Sequence, residues 1–139
     1  MPTAPDPMTA VLLIAHGSRR VEANADLEEL ARRVTEQGGY AIVEVSYLEL
    51  ATPTIADGGR RCVSRGASRV LMLPYFLSAG RHVTEHLLEH QRQLAEEFPA
   101  VAFQPCPPLG LHPLMTQIVL DRLTQSEIER SASSLESSL

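Results

Sequence analysis

Residues 10–15 read AVLLIA, a continuous apolar run, and His16-Gly17-Ser18 follows it directly. A short apolar run that ends at a turn signal is typical of a strand buried on both faces, as in a parallel sheet. Further runs rich in apolar or β-branched residues predict three more strands, at residues 41–48, 69–74 and 101–103. The first run therefore indicates a sheet in which it is one of several parallel strands.

Helical patterns separate these strands. Apolar residues at helical spacing predict a helix over residues 21–37. Thr52-Pro53 predicts the start of a second helix, with Thr52 as N-cap, that runs to about Arg65. Two more helices are predicted, over residues 81–97 and from His112 to about Arg130. Because strands and helices alternate, we expect an α/β fold in three layers, a parallel sheet of about four strands with helices on both faces.

The length of 139 residues fits one domain. Residues 1–9 contain three prolines and predict a flexible leader. Residues 10–130 are then a single α/β domain. The serine-rich segment 131–139 predicts a disordered tail.

Composition excludes several classes of function. The net charge is −5, only 4% of residues are aromatic and there is no Trp, which argues against a nucleic-acid partner. No apolar run approaches the roughly 20 residues that span a bilayer, so we expect no membrane partner and a cytoplasmic protein. Cys62 and Cys106 lie far apart and in no CxxC motif, which argues against a structural zinc site. We expect Cys62 to be a small apolar residue of a helix face.

Polar residues gather where the first three predicted strands end. His16 follows the first strand, Glu49 ends the second, and Gly80 and His82 follow the third. Ligands of parallel α/β sheets bind beyond the carboxyl ends of the strands, so we expect these segments to converge on one edge. Two histidines and one carboxylate suit a divalent metal such as Co, Ni, Fe or Zn and leave open positions. Neutral imidazole also accepts protons near neutral pH.

Each of these residues also has an ordinary structural explanation. His16 taken alone could be a loop histidine that hydrogen-bonds a turn, and His82 a cap or surface residue. Glu49 could be a strand-end carboxylate that points to solvent. The arginines of the same loops could clamp the carboxylates of an anionic ligand or simply be solvated: Arg19, Arg20 and Arg81.

Histidines recur on the third predicted helix. His82, His86 and His90 are four residues apart, so they form one stripe. An HxxxH pair is a plausible metal clip, and it also occurs by chance on solvated helices. His112, directly before Pro113, is explained as an ordinary residue at a helix start.

Four short motifs resemble those of one enzyme family. They are IAHGSR at residues 14–19, YLELATPTI at 47–55, LPYFLSAGRHV at 73–83 and PLGLHP at 108–113. In this order and spacing the pattern is similar to that of the small sirohydrochlorin chelatases, the CbiX type of class II tetrapyrrole chelatase. The likeness extends from about residue 10 to residue 123.

The resemblance implies a chelatase-like domain that inserts a divalent metal into sirohydrochlorin, in cobalamin or sirohaem biosynthesis. Co²⁺ is the expected metal, with Ni²⁺ or Fe²⁺ as alternatives, and neither ATP nor an organic cofactor is expected. Longer relatives hold two such units in one chain. A short chain is expected to form a homodimer with the tetrapyrrole between its subunits.

The resemblance also implies roles for the site residues. His16 is expected to be a metal ligand and proton acceptor, His82 the second metal ligand, and Glu49 an acidic catalytic residue near the metal. His86 stands where many members of the family carry an acidic residue, which makes it a candidate accessory residue. The residues expected to bind the macrocycle are Arg19, Thr52, Leu77, Ser78, Ala79, Gly80 and Arg81.

Two other functions fit parts of the pattern. Histidine phosphatases also place a His-Gly pair after a first strand, but an Arg precedes their histidine, and here that residue is Ala15. A carrier that binds a tetrapyrrole or a metal without turnover would share the fold. Such a carrier does not need a base, whereas the predicted site contains proton acceptors.

Overall fold

The computed structural model describes residues 8–138. The strands and helices alternate as predicted, and their bounds are β1 Thr9–Ala15, α1 Val21–Gly38, β2 Ile42–Tyr47, α2 Ile55–Ser64, β3 Arg69–Pro74, α3 Arg81–Glu97, β4 Ala102–Pro105 and α4 Pro113–Ser138. Most of the predicted leader lies outside the described residues, and Thr9 already belongs to β1. None of the helices within residues 8–138 is long and apolar enough to cross a membrane.

The four strands form one parallel sheet in the order β2-β1-β3-β4. β1 pairs along one edge with β2, where Ala15 lies opposite Tyr47, and along the other edge with β3, where Ile14 lies opposite Pro74. Each pair of strands that follow one another in the chain is connected through a helix, as parallel strands require. The predicted α/β class with a four-stranded parallel sheet is confirmed.

Two apolar clusters cover the two faces of the sheet. Alternate residues of β1 point to opposite faces. Leu12 and Ile14 join a cluster with residues of α2 and α3, whereas Leu13 joins a second cluster with Leu27 of α1. Cys62 is fully buried in the first cluster, and burial raises the pKa of its thiol to about 12. The thiol therefore acts as an apolar group, as predicted.

Two adjacent glycines let α2 pack closely on its neighbours. A Cβ atom on Gly58 would lie 2.7 Å from Leu12 Cδ1 and 3.0 Å from Ser46 Cβ, both in the sheet. A Cβ atom on Gly59 would lie 2.7 Å from Leu94 Cδ1 of α3. Glycine is a poor helix former in isolation, but here the absence of a side chain permits contact on two sides of the helix.

The beginning of α2 differs from the prediction. The helix starts at Ile55 rather than at Pro53, and its N-cap is Thr54, whose hydroxyl accepts a hydrogen bond from the Asp57 amide at 3.2 Å. Thr52 and Pro53 are joined by a cis peptide bond. The Tyr47 amide donates to the Pro53 carbonyl at 2.9 Å, which keeps this segment beside the end of β2 instead of in the helix.

The end of the chain also differs from the prediction. The tail predicted to be disordered is helical to Ser138, as the last part of α4. No Gly or Pro occurs between residues 114 and 138, so nothing in the sequence breaks the helix after Arg130. The structure divides into two compact units, one ending at Pro108 and one beginning at Leu109, so the segment predicted as a single domain contains parts of both.

We predict that Gly58→Ala lowers the free energy of unfolding. The added methyl group overpacks the contact with Leu12 and Ser46, at a cost of about 1–3 kcal/mol. The better helix propensity of Ala opposes this by up to about 1 kcal/mol. Urea unfolding followed by circular dichroism measures the difference.

Gly80→Ala is the matched control for stability. Its Cβ would have no atom within 4 Å, so no overpacking is added, and the weaker N-cap preference of Ala should lower the unfolding free energy by no more than about 1 kcal/mol. If Gly58→Ala were as stable as the wild type, the close packing of α2 on the sheet would be wrong.

Candidate active site

Three loops meet at the carboxyl end of β1. They are the β1 loop (residues 16–20), the β2 loop (residues 48–54) and the β3 loop (residues 75–80). The Leu48 amide donates to the Ala15 carbonyl at 2.9 Å, and the Tyr75 amide donates to the Ile14 carbonyl at 2.7 Å. These bonds extend the pairing of β1 with both neighbours beyond the regular strands. The structure therefore places the three predicted segments at one edge of the sheet.

The β1 and β2 loops are in direct backbone contact. The Glu49 amide donates to the His16 carbonyl at 3.0 Å. Gly17 has a φ of 95°, and a Cβ atom at this position would lie 1.8 Å from the Glu49 carbonyl oxygen. Only glycine fits here, because both the backbone conformation and the space exclude a side chain. His16 and Glu49 are thus brought to adjacent places by a contact of main chains.

The imidazole of His16 rests on an aromatic ring. Its ring is stacked on Phe76, with the ring centroids 4.3 Å apart and an interplanar angle of 29°. Phe76 is only 5% exposed and belongs to the main core cluster, whereas His16 is exposed. The core therefore supports one face of an imidazole that is otherwise open to a ligand. Phe76 was not among the predicted site residues, because contact between two loops leaves no periodic signal.

Asn24 fixes the course of the β1 loop. Its side chain accepts a hydrogen bond from the Ser18 amide at 3.1 Å and donates one to the Ser18 carbonyl at 2.8 Å. The Tyr47 hydroxyl donates to the Asn24 carbonyl at 2.9 Å, and burial raises the pKa of this phenol. Asn24 is a positioning residue that the sequence analysis missed; an Asn six residues after Ser18, near a helix start, is the only signal for it.

Glu49 and Leu50 form the exposed turn of the β2 loop. Glu49 is exposed and lies two residues beyond the end of β2, so its carboxylate can be solvated by water and needs no partner in the protein. Leu50 has a φ of 64° and a 55% exposed side chain. A left-handed backbone at a non-glycine residue costs on the order of 1–3 kcal/mol and is typical of functional sites.

The β3 loop leads directly into α3. Gly80 is the N-cap, so Arg81 and His82 are the first two residues of the helix. His82 is exposed, and Arg81 is exposed and ion-paired with Glu85 at 3.1 Å. Ala79 is partly buried against the core. The other residues predicted to touch a ligand are exposed: Arg19, Thr52, Leu77, Ser78 and Gly80.

Large apolar side chains are exposed around the same loops. Leu77 is 63% exposed, Tyr75 is 42% exposed, and Val21, the first residue of α1, is 77% exposed. Together with Leu50 they give an apolar surface at an edge that also carries Arg19 and Arg81. Clustered exposed apolar residues are typical of binding sites. The arginines were among the predicted contacts, whereas Val21, Leu50 and Tyr75 were not.

The candidate metal ligands do not form a closed site. Among residues 8–138 no group of three or more His, Cys, Asp and Glu side chains is arranged to hold a metal ion. His16 and Glu49, on two loops, and His82, at the start of α3, are therefore candidate ligands that do not form a preformed three-ligand set. An incomplete set of this kind can bind an ion that must afterwards leave.

The two other histidines of α3 lie against each other. The ring centroids of His86 and His90 are 4.8 Å apart, with an interplanar angle of 34°. His86 is exposed and His90 is half-buried. Burial, and then the neighbouring His86, lower the pKa of His90. His112, in the second unit, caps α4, since its Nδ1 accepts a hydrogen bond from the Leu114 amide at 3.1 Å.

Comparison with known proteins gives a consistent result. The CbiX family model matches residues 10–126. The chloroplastic sirohydrochlorin ferrochelatase of Arabidopsis thaliana is 40% identical over 113 residues, which cover 81% of this chain and 50% of the relative.

Two solved structures share the fold. The sirohydrochlorin chelatase SirB from Bacillus subtilis, in complex with cobalt, is 26% identical with a TM-score of 0.78, covering 84% of this chain and 50% of that one. A CbiX protein from Marinobacter aquaeolei VT8 is 27% identical with a TM-score of 0.73, covering 88% of this chain and 98% of that one. The chain thus spans about half the length of the Arabidopsis and Bacillus proteins.

We predict that Gly17→Ala disrupts the contact between the β1 and β2 loops. The new methyl group would collide with the Glu49 carbonyl, and the left-handed backbone would add strain. The free energy of unfolding should fall by about 2 kcal/mol or more in urea titrations. Amide NMR shifts of His16 and Glu49 should change, whereas Gly80→Ala should leave both unchanged. Wild-type stability and shifts in the Gly17 variant would contradict this packing.

Proposed function

The chain belongs to the CbiX family, and from this premise we propose that it inserts a divalent metal ion into sirohydrochlorin without ATP. The observation that carries the proposal is the convergence of the β1, β2 and β3 loops, with His16, Glu49 and the start of α3, on one edge of the sheet. This edge carries candidate metal ligands, candidate proton acceptors and an exposed apolar surface. These are the elements that metal insertion requires.

The two histidines fit both halves of the reaction. Insertion exchanges one divalent cation for two pyrrole protons, so the site must release a metal and accept protons. We propose that His16 and His82 hold the metal through neutral imidazoles. As the pyrrole nitrogens take over the metal, each imidazole regains a basic nitrogen that can accept one proton. Two histidines thus balance the two protons that leave the macrocycle.

Glu49 has an electrostatic role in this proposal. The carboxylate attracts the cation on entry and stabilises an imidazolium after proton transfer. Its place beside His16 is supported by the backbone contact between Gly17 and Glu49. Because Glu49 is exposed, the attraction is screened by water and salt, and its contribution is smaller than that of the histidines.

The exposed loop residues suit a flat, anionic macrocycle. Tyr75, Leu50 and Leu77 offer apolar area to its face. Arg19 and Arg81 can bind its peripheral carboxylates, which arginine recognises through paired hydrogen bonds. We place Thr52, Ser78, Ala79 and Gly80 beside the same face.

We propose Co²⁺ as the metal, with Fe²⁺ or Ni²⁺ as alternatives, in a cobalamin or sirohaem pathway. The relatives support both cobalt and iron, since one is named a ferrochelatase and another was solved with cobalt. The ligand types do not separate these ions, which share a preference for imidazole. The cytoplasmic location stays a prediction, because the Arabidopsis relative is named chloroplastic.

We further propose that two copies of the chain form a homodimer that encloses the macrocycle. The chain spans about half the length of two of the relatives, so two copies of it would match the length of one such relative. α4 carries the apolar side chains that such an interface needs. Five of them, each about half exposed or more, are Leu114, Ile118, Val119, Leu120 and Leu123.

The insertion proposal is tested by anaerobic incubation with sirohydrochlorin and Co²⁺, Ni²⁺ or Fe²⁺, followed by absorbance. We expect insertion faster than in the protein-free blank. His16→Gln and His82→Gln should each lower the initial rate by about 100-fold or more, since each removes a ligand and a base. Glu49→Gln should lower it by roughly tenfold.

Glu36→Gln is the matched carboxylate control. Glu36 is an exposed residue of α1 that pairs with Arg32 at 2.6 Å, and its loss should leave the rate unchanged. Tight binding of the tetrapyrrole without acceleration for any of the three metals would favour a carrier instead.

The dimer proposal predicts a mass of two chains in sedimentation equilibrium. Leu123→Glu should shift the protein toward the monomer, because it buries a charge in the proposed interface. Thr124→Glu is the control for added charge and should have a much smaller effect. A wild-type protein that stays monomeric at micromolar concentrations, with and without sirohydrochlorin, would refute the dimer.

A further inference from the structure

Three histidines of α3 form a row that starts at the candidate active site. His82, His86 and His90 are each four residues apart, so consecutive members lie on the same helix face about 6 Å apart along the axis. Only His82 is used in the proposed metal insertion. His86 and His90 have no part in that reaction.

The rings of His86 and His90 are spaced for chelation. Imidazole nitrogens bind first-row metals at about 2.0–2.1 Å, which places each ring centroid roughly 3.2 Å from the ion. For N–metal–N angles of 90–110° the two centroids are then about 4.5–5.3 Å apart. The observed separation of 4.8 Å lies inside this interval.

The surroundings of the pair also favour a ligand. Nδ1 of His90 is buried, and among the described residues it has no hydrogen-bond partner. An unpaired buried polar atom is unfavourable, and coordination of a metal ion through this nitrogen would give it a partner. The nearby carboxylates are already engaged, since Glu85 pairs with Arg81 and Glu89 pairs with Arg92. These carboxylates therefore pair with arginines of α3 and not with His86 or His90.

We propose that His86 and His90 form a second site for a divalent first-row transition metal, one helical turn beyond His82. With only two protein ligands the remaining positions go to water, so the ion exchanges readily. The row of histidines lets an ion reach His82 through His86. That supply role rests on the proposed metal insertion, whereas binding at His86 and His90 does not.

Calorimetric titration with Ni²⁺ alone, in the absence of tetrapyrrole, tests the site. The double variant His16→Gln/His82→Gln, which lacks the ligands proposed for insertion, should still bind one equivalent. Adding His90→Gln or His86→Gln should weaken that binding by roughly 10–100-fold, because the chelate is lost. Adding His112→Gln instead should leave it unchanged.

Two results would overturn the proposal. One is a double variant that binds no Ni²⁺ up to millimolar concentration. The other is an affinity that neither His86→Gln nor His90→Gln changes. Because His86 is exposed, its replacement keeps the test valid if the half-buried His90 variant fails to fold.

The supply role has its own readout. In the insertion assay, His90→Gln should raise the metal concentration for half-maximal rate several-fold, and an unchanged requirement would exclude supply. If the wild-type protein did not accelerate insertion, the proposed function would be refuted, but the calorimetric result would still stand. The two proposals can therefore fail separately.

Discussion

The position of β1 is the constraint on which the rest of the structure depends. It is paired on both edges and buried on both faces, so every other element of residues 8–108 is placed relative to it. Its carboxyl end is the point where the loops of both neighbouring strands must pass. The amides of Leu48 and Tyr75 bind carbonyls at the end of β1, which ties those loops to the strand. A single apolar hexapeptide thereby determines where the candidate site lies.

The candidate site combines a fixed backbone with exposed side chains. Gly17, Asn24 and Phe76 hold the loops through contacts that are buried or partly buried. His16, Glu49 and His82 project from that base into the open. The separation fits the proposed metal insertion, in which an ion is transferred rather than stored.

Much of the fold followed from local sequence, and the failures have physical reasons. The bounds of β3 and α3 were predicted correctly because Pro74 and Gly80 are unambiguous local signals. The predicted start of α2 was wrong because Thr52 and Thr54 are both plausible caps, and the choice depends on the hydrogen bond between the Tyr47 amide and the Pro53 carbonyl. The prediction of a disordered tail was wrong because it relied on the serine-rich composition and not on the absence of a helix breaker. The candidate site residues lay at strand ends, so the convergence of their loops could be predicted, whereas Phe76 and Asn24 act through contacts between distant segments, which composition and spacing do not reveal.

The contact between Gly17 and the Glu49 carbonyl has a consequence for exchanging parts between relatives. The main chains of the β1 and β2 loops are in direct contact, so a change in the backbone of one loop requires a matching change in the other. A chimaera that takes one of these loops from a relative must therefore take the other loop as well. The N-cap of α3 has open space at Gly80 and carries no such restriction. The start of α3 therefore accepts substitution more easily than the contact between the β1 and β2 loops.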